Sequence, residues 1–331
     1  MRRILMKRFI CVLLCVLMAL ATLTRVACDK KEETLKFGMG VLISASATDA
    51  TADKDGEGKA TINAAVITVD ADGKVVACEL DTADNTVKFT AEGKAVANDG
   101  FKTKYELGKD YNMVLYGGAA KEWFEQCDAF ESVVVGKTLD EIKALVVEGN
   151  KGNSDVVAAG CTIMINEFVG AIEKAFANLA DSTATASSTL KLGMNTAQST
   201  KDATADANGQ NQVETTIVAA AIGTDGKVQV AASDCVQVKF TFDAAGVSTY
   251  DATKAAQTKR ELGANYGMVA YGQAAKEWFE QADAFNALCV GKTVAEIVAF
   301  CAADNYGTDE VKAAGCTILV DGFTKAADKL D

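Results

Sequence analysis

Tyr116-Gly117-Gly118-Ala119-Ala120-Lys121-Glu122-Trp123-Phe124-Glu125-Gln126 decides how this chain is read, because nearly the same run returns as Tyr271-Gly272-Gln273-Ala274-Ala275-Lys276-Glu277-Trp278-Phe279-Glu280-Gln281. Residues 103–130 and 258–285 agree at 21 of 28 positions, at a constant offset of 155. A period near half of the 331 residues predicts two copies of one fold and argues against a solenoid of short units. Thr34-Leu35-Lys36-Phe37-Gly38-Met39 and Thr189-Leu190-Lys191-Leu192-Gly193-Met194 carry the same offset. The copies are therefore placed at 34–180 and 189–331, with the small, polar stretch 181–188 as linker. Each copy, at about 145 residues, is long enough for its own core, and the two are expected to fold independently.

Within each copy strands precede helices. Ala60 to Asp70 and Lys74 to Leu80 flank Ala71-Asp72-Gly73, and Thr215 to Ile222 and Lys227 to Ala232 flank Thr224-Asp225-Gly226, so each copy opens with a hairpin on an Asp-Gly turn. Third strands are expected at Thr86 to Thr90 and Val236 to Phe242. A helix then opens at Ala119 with Trp123, Phe124, Cys127 and Phe130 on one stripe, and its counterpart carries Trp278, Phe279, Ala282 and Phe285. Thr138 with Glu141, and Thr293 with Glu296, spell capping boxes for a second helix. Asn166 and Asp321 are expected to N-cap a third. The expected fold class is α+β, two tandem copies, each a small antiparallel sheet with about three helices.

Residues 1–27 read as a secretory signal: Arg2, Arg3, Lys7 and Arg8 precede an uncharged apolar run from Phe9 to Leu23, and Ala27-Cys28 follows. That run is short for a span, so cleavage before Cys28 is expected, with 28–33 as a charged tether. Five of the 33 basic residues and none of the 45 acidic ones lie in the signal, so the remainder carries a net charge of −17. Such a surface repels nucleic acid. The chain has no His, which excludes Ser-His-Asp and Cys-His nucleophile systems and His-ligated zinc. Beyond Cys28 there are seven cysteines, and only Cys161 and Cys316 recur at equivalent positions. A duplicated disulfide framework would recur in both copies, so these are expected to be small buried thiols. Asp53-Lys54-Asp55-Gly56-Glu57-Gly58 suggests calcium, but an EF-hand loop needs Glu where Ala64 stands.

Ala159-Gly160-Cys161-Thr162-Ile163, followed by the helix from Asn166, returns as Ala314-Gly315-Cys316-Thr317-Ile318. This resembles the Ser-Gly-Ala-Thr segment and following helix of the bacterial FMN-binding domain, whose Thr carries FMN through a phosphoester bond. Ala159 and Ala314 stand for the family's Ser, and Cys161 and Cys316 for its Ala. Ala27-Cys28 is similar to the lipobox of bacterial lipoproteins, with Arg25 where that motif favours Leu. These resemblances imply a lipoprotein anchored through Cys28 at the outer face of the cytoplasmic membrane, with redox partners, and more a binding or electron-carrier protein than a stand-alone enzyme. The implied flavin site takes in Gly160, Cys161 and Thr162 with Gly315, Cys316 and Thr317. Gly117 and Gly272 would offer backbone N–H groups to a phosphate, and Tyr116 and Trp123, with Tyr271 and Trp278, would offer rings to a flavin. The other reading is a non-catalytic lipoprotein that binds a small ligand or a protein, its flavin sites decayed.

Overall fold

The computed structural model describes residues 32–98 and 100–331, so the signal segment and Cys28 lie outside the described residues. From Thr34 to Asp331 the chain is one compact unit. Strands β1 (Lys36–Thr48), β2 (Gly56–Val69) and β3 (Val75–Phe89) form an antiparallel meander, extended at its edges by the short β4 (Ala95–Val96) and β5 (Ala180–Asp181) in the order β4-β3-β2-β1-β5. Strands β6 (Thr189–Lys201), β7 (Gly209–Ile222) and β8 (Val228–Phe242) make the second sheet in the order β6-β7-β8. The α+β class and the antiparallel sheets are as expected.

The strand assignment needs correction. β3 runs unbroken through both Lys74–Leu80 and Thr86–Thr90, and β8 does the same in its sheet. The polar run Asp81 to Asn85 looks like a break, yet its side chains are partnered inside: Thr82 Oγ1 donates to Asn63 Oδ1 at 2.6 Å and Asn85 Nδ2 to Thr215 Oγ1 at 2.9 Å. The remaining strand is β1, where Phe37, Met39 and Val41 alternate with Gly38 and Gly40. The Asp-Gly turn forms as read, with Asp70 Oδ1 accepting from the backbone N–H of Asp72 and of Lys74 and Gly73 at φ +78°.

Ladder register also corrects the alignment of the repeat. Lys36 pairs with Val69, and Thr189 with Ile222, so β1 and β6 correspond at an offset of 153 instead of 155. Gly193 thus matches Gly40: a Cβ on either would stand 2.1–2.2 Å from the backbone oxygen of Ala326 or Ala171, where sheet and helix touch. A slip of two residues leaves every side chain on the same face, which is why the similar hexapeptides matched in the wrong register. The two extra residues fall in the connection from Phe242 to Thr258.

Five α-helices follow each sheet, where about three were expected. They are α1 (Lys104–Leu107), α2 (Trp123–Val134), α3 (Leu139–Lys143), α4 (Ser154–Ala159) and α5 (Asn166–Ala177), then α6 (Lys259–Leu262), α7 (Trp278–Cys289), α8 (Val294–Val298), α9 (Asp309–Ala314) and α10 (Asp321–Ala327). The capping boxes at Thr138 and Thr293 form, and Thr103 and Thr258 make two more. Asn166 and Asp321 are the first helical residues and not the caps; Ile165 and Val320 hold the cap positions without a side-chain bond. The helix read from Ala119 begins at Trp123, with Glu122 before it.

Four layers result. Trp123, Phe130, Ile142 and Ile172 pack with Ile67 and Leu80 on the outer face of the first sheet, and Trp278, Phe285, Ile297 and Phe323 do so on the second. The inner faces meet each other: Phe37, Ile62 and Val66 share one apolar layer with Met194, Ile217 and Phe240. The Phe89 and Phe242 rings stack across the halves at 4.4 Å, and any Cβ on Gly58 would collide with the Phe240 ring at 2.3 Å. Segment 181–188 is packed too, with Ala184 fully buried. Cys78, Cys127, Cys161, Cys235, Cys289 and Cys316 are buried free thiols and Cys301 is partly buried.

Candidate functional site

Two rows of residues cross the outer face of the second sheet: Asn195, Thr216 and Cys235, then Ala197, Glu214 and Gln237. Above them stand Trp278 at the start of α7, Phe323 of α10, and the loop that carries Thr317. A cavity of about 680 Å³ lies between floor and roof, lined among others by Tyr266, Trp278, Phe323, Glu214, Lys259 and Thr317. That volume is in the range of small-molecule sites.

Lys259 enters from α6 and is almost fully buried, at 6 % exposure. Its Nζ donates to Glu214 Oε1 at 2.8 Å and lies 5.0 Å from the Tyr266 ring centre and 5.5 Å from that of Trp278. Burial alone would lower its pKa, but the acidic groups around it, Cys235 first and then the Glu214 carboxylate that accepts its hydrogen bond, override this and hold the ammonium above its ordinary value. Gln237 Nε2 donates to the second Glu214 oxygen at 3.0 Å. Burial pushes the neighbouring Cys235 thiol well up, so it stays protonated and Glu214 is the counter-charge. Asn195 and Thr216 also face the cavity, and among the described residues neither side chain has a hydrogen-bond partner.

Gln281, 2 % exposed, fixes the roof. Its Oε1 accepts from Thr317 N at 2.9 Å and Thr317 Oγ1 at 3.0 Å, while its Nε2 donates to Lys276 O at 3.1 Å. Gln126 makes the same three bonds to Thr162 and Lys121. Gly160 and Gly315 close α4 and α9 with φ near +105°, a conformation suited to glycine, and each seats a lysine ammonium where a Cβ would stand, Lys121 at 2.2 Å and Lys276 at 2.3 Å. The Gly-Cys-Thr motif is therefore a helix terminus, followed by a loop pinned to the aromatic helix. Replacing Gln281 by Leu is expected to remove about 1–3 kcal/mol by leaving the Lys276 carbonyl and the loop N–H without their partner beside a buried apolar side chain. Thermal unfolding and amide exchange at 315–319 measure this; an unchanged melting temperature with unchanged protection would refute the pin.

The first half keeps the lysine and the rings above a different floor. Its rows are Leu42, Asn63 and Thr82, then Ser44, Thr61 and Asp84. Lys104 lies 5.1 Å from the Tyr111 ring centre and 5.4 Å from that of Trp123, and pairs with Asp84 at 3.4 Å. The carboxylate has moved by one strand. Burial would raise the Asp84 pKa, but Lys104, the Thr61 hydroxyl and Lys59 together hold it below its ordinary value. Where Gly322 stands in the second half the first has Glu167, whose Oε2 accepts from Asn63 Nδ2 at 3.0 Å.

Of the residues singled out in the sequence, Trp278 and Thr317 line the cavity together. Trp123 occupies the matching place over Lys104, and Thr162 is exposed beside Gln126. Cys161 and Cys316 point into the helix-side cores, where burial raises both thiols, Cys316 to about 11. Tyr116 and Tyr271 are 82 % and 88 % exposed. Gly117 and Gly272 lie in tight turns six residues before the first residues of their helices, and the helix starts are taken by carboxylates: Glu122 accepts from Met113 N and Glu125 from Glu122 N, each at 2.9 Å. An anion there would meet negative charge. Lys259, Glu214, Gln281 and Gly322 were not picked out from the sequence; Gln281 and Lys259 lie inside the repeated segment, whereas Glu214 and Gly322 are where the halves differ.

Among the described residues no group of three potential metal ligands is found, and no helix is long and apolar enough to cross a membrane. Comparison with protein-family models, curated proteins and solved structures found no match to this chain.

Proposed function

We propose that this chain is a duplicated binding lipoprotein held at the outer face of the cytoplasmic membrane through Cys28, and that it carries a flat conjugated ligand, with FMN as the first candidate. The observation that carries the reading is the cavity of about 680 Å³ walled by Trp278, Tyr266 and Phe323 above a charge-neutral floor. The second half fits a flavin: an aromatic wall for the ring, the unpartnered Asn195 amide and Thr216 hydroxyl for its polar edge, and the exposed Thr317 hydroxyl for its tail. The first half does not, since Leu42 and Glu167 replace Asn195 and Gly322. A flavin, when bound, would supply electron-transfer chemistry. The chain's own residues would hold it: Tyr266 and Trp278 among the rings that line the cavity, and Gln281 keeping the Thr317 loop in place.

Protein purified from a host that has the flavin-attaching enzyme tests this, by oxidised-flavin absorbance and by in-gel fluorescence after denaturing electrophoresis. Flavin absorbance without gel fluorescence is the expected result and means reversible binding. Gel fluorescence lost in Thr317→Ala would mean covalent attachment. A colourless protein that takes up no added FMN would overturn the flavin assignment.

A further inference from the structure

We infer that, of the two equivalent places the repeat builds among the described residues, only that of the second half is open to a ligand, and that Asn195 and Gly322 keep it open while Leu42 and Glu167 close the matching space in the first. The inference rests on the ligand-binding reading above but not on the ligand being a flavin. The ladder pair Asn195 with Thr216 occupies the place of Leu42 with Asn63, and their neighbours on the third strand are Cys235 and Thr82. In the first half a chain of bonds fastens the floor: Thr82 Oγ1 donates to Asn63 Oδ1 at 2.6 Å, and Asn63 Nδ2 to Glu167 Oε2 at 3.0 Å. The Glu167 side chain is thereby laid over the sheet, and Leu42 packs against the core under α5. In the second half no such chain exists. Gly322 has no side chain to lay down, Thr216 Oγ1 stands 2.6 Å from where its Cβ would be, and Asn195 and Thr216 are left without partners among the described residues.

The same contrast indicates what the site takes. Unpaired amide and hydroxyl groups on the floor favour a ligand with a hydrogen-bonding edge. Lys259 is already matched by Glu214, so the inner end has no net charge to attract an ion. The Trp278, Tyr266 and Phe323 rings favour a flat conjugated body.

The full chain is titrated with 8-anilinonaphthalene-1-sulfonate, a flat conjugated anion, with stoichiometry from equilibrium dialysis and folding checked by melting and near-ultraviolet circular dichroism. One equivalent is expected for the natural protein. Gly322→Glu with Thr216→Asn transplants the Asn–Glu bond of the first half's lock and is expected to weaken binding at least tenfold, as is Asn195→Leu alone. Leu42→Asn with Glu167→Gly is expected to add a second equivalent. Two equivalents in the natural protein, none at all, or one that survives both second-half variants in folded protein would overturn the inference. Failure to take up FMN while the dye behaves as expected would remove the flavin and leave the single site standing.

Discussion

Cut within 181–188, the chain is expected to give two fragments of which neither is a stable monomer. The inner layer draws nine buried residues from each half, with Ala184 of the connector between them. In fragment 34–181 the side chains of Phe37, Met39, Val41, Ile62, Val66 and Val87 would face water. At about 1.5–3 kcal/mol for each large side chain, their exposure costs roughly 10 kcal/mol or more, which is the whole stability of an ordinary domain. The inner face of the second sheet is in the same position, and Phe242 loses its stacking partner. Sequence reading gives each half a core of its own, and the helix-side clusters agree, but each sheet is buried on both faces. The fragments should therefore self-associate or melt without cooperativity, and mixing them should restore one sharp transition. Sedimentation and calorimetry decide it: two monomeric fragments, each with a cooperative transition near that of the parent, would refute the shared layer as a source of stability.

Stability is also expected to fall as pH rises from about 4 to about 9, against the common pattern of acid-labile folds. Burial pushes the Glu131 carboxyl up to about 9, with the Glu79 carboxylate adding to the effect and the Leu80 N–H opposing it. Burial likewise raises Asp81 to about 7 and Asp234 to about 6, although each accepts a backbone N–H at 2.7 Å from the next residue in its strand. All three shifts are upward, so between the unfolded values near 4 and these folded values the native state binds the more protons, and each group removes up to about 1.4 kcal/mol per pH unit because it ionises in the unfolded chain while staying protonated in the fold. The melting temperature should be higher at pH 5 than at pH 8 by about 5 °C or more. Glu131→Gln keeps an oxygen for the Leu80 N–H and should flatten the upper part of the curve, while Asp81→Asn should flatten the middle. A melting temperature that is level or rises from pH 5 to pH 8 would show that these carboxyls ionise freely in the fold.

How much of this was legible follows from what each level of structure depends on. The aromatic stripe of Trp123 and Phe130 and the boxes at Thr138 and Thr293 are local signals, and they formed where read. β3 was misread because Asp81 to Asn85 are polar, and their partners, Asn63 and Thr215, are 19 and 130 residues away. Helices α4 and α9 are six-residue elements too short to show a periodic stripe, and their end signal, Gly160 or Gly315, falls inside the segment that resembles a cofactor motif. The repeat drew the eye to what the halves share, and the shared lysine, rings and glutamine build the frame of the site. Whether that frame is open is set by Asn195 and Gly322 against Leu42 and Glu167, and such differences gain meaning only once ladder register has replaced the sequence offset.

The connector joins the halves more closely than a tether does. Leu35 N donates to Ala184 O at 2.8 Å, Ser182 Oγ to Leu35 O at 2.6 Å and Thr183 Oγ1 to Gln229 O at 2.8 Å, so it is sewn to both sheets. An interface of this kind between separate subunits would obey mass action and come apart on dilution. Joined by eight residues, the two surfaces meet at an effective concentration on the order of millimolar whatever the number of molecules around them. Their encounter is first-order, and the assembled state is indifferent to how thinly the protein is spread.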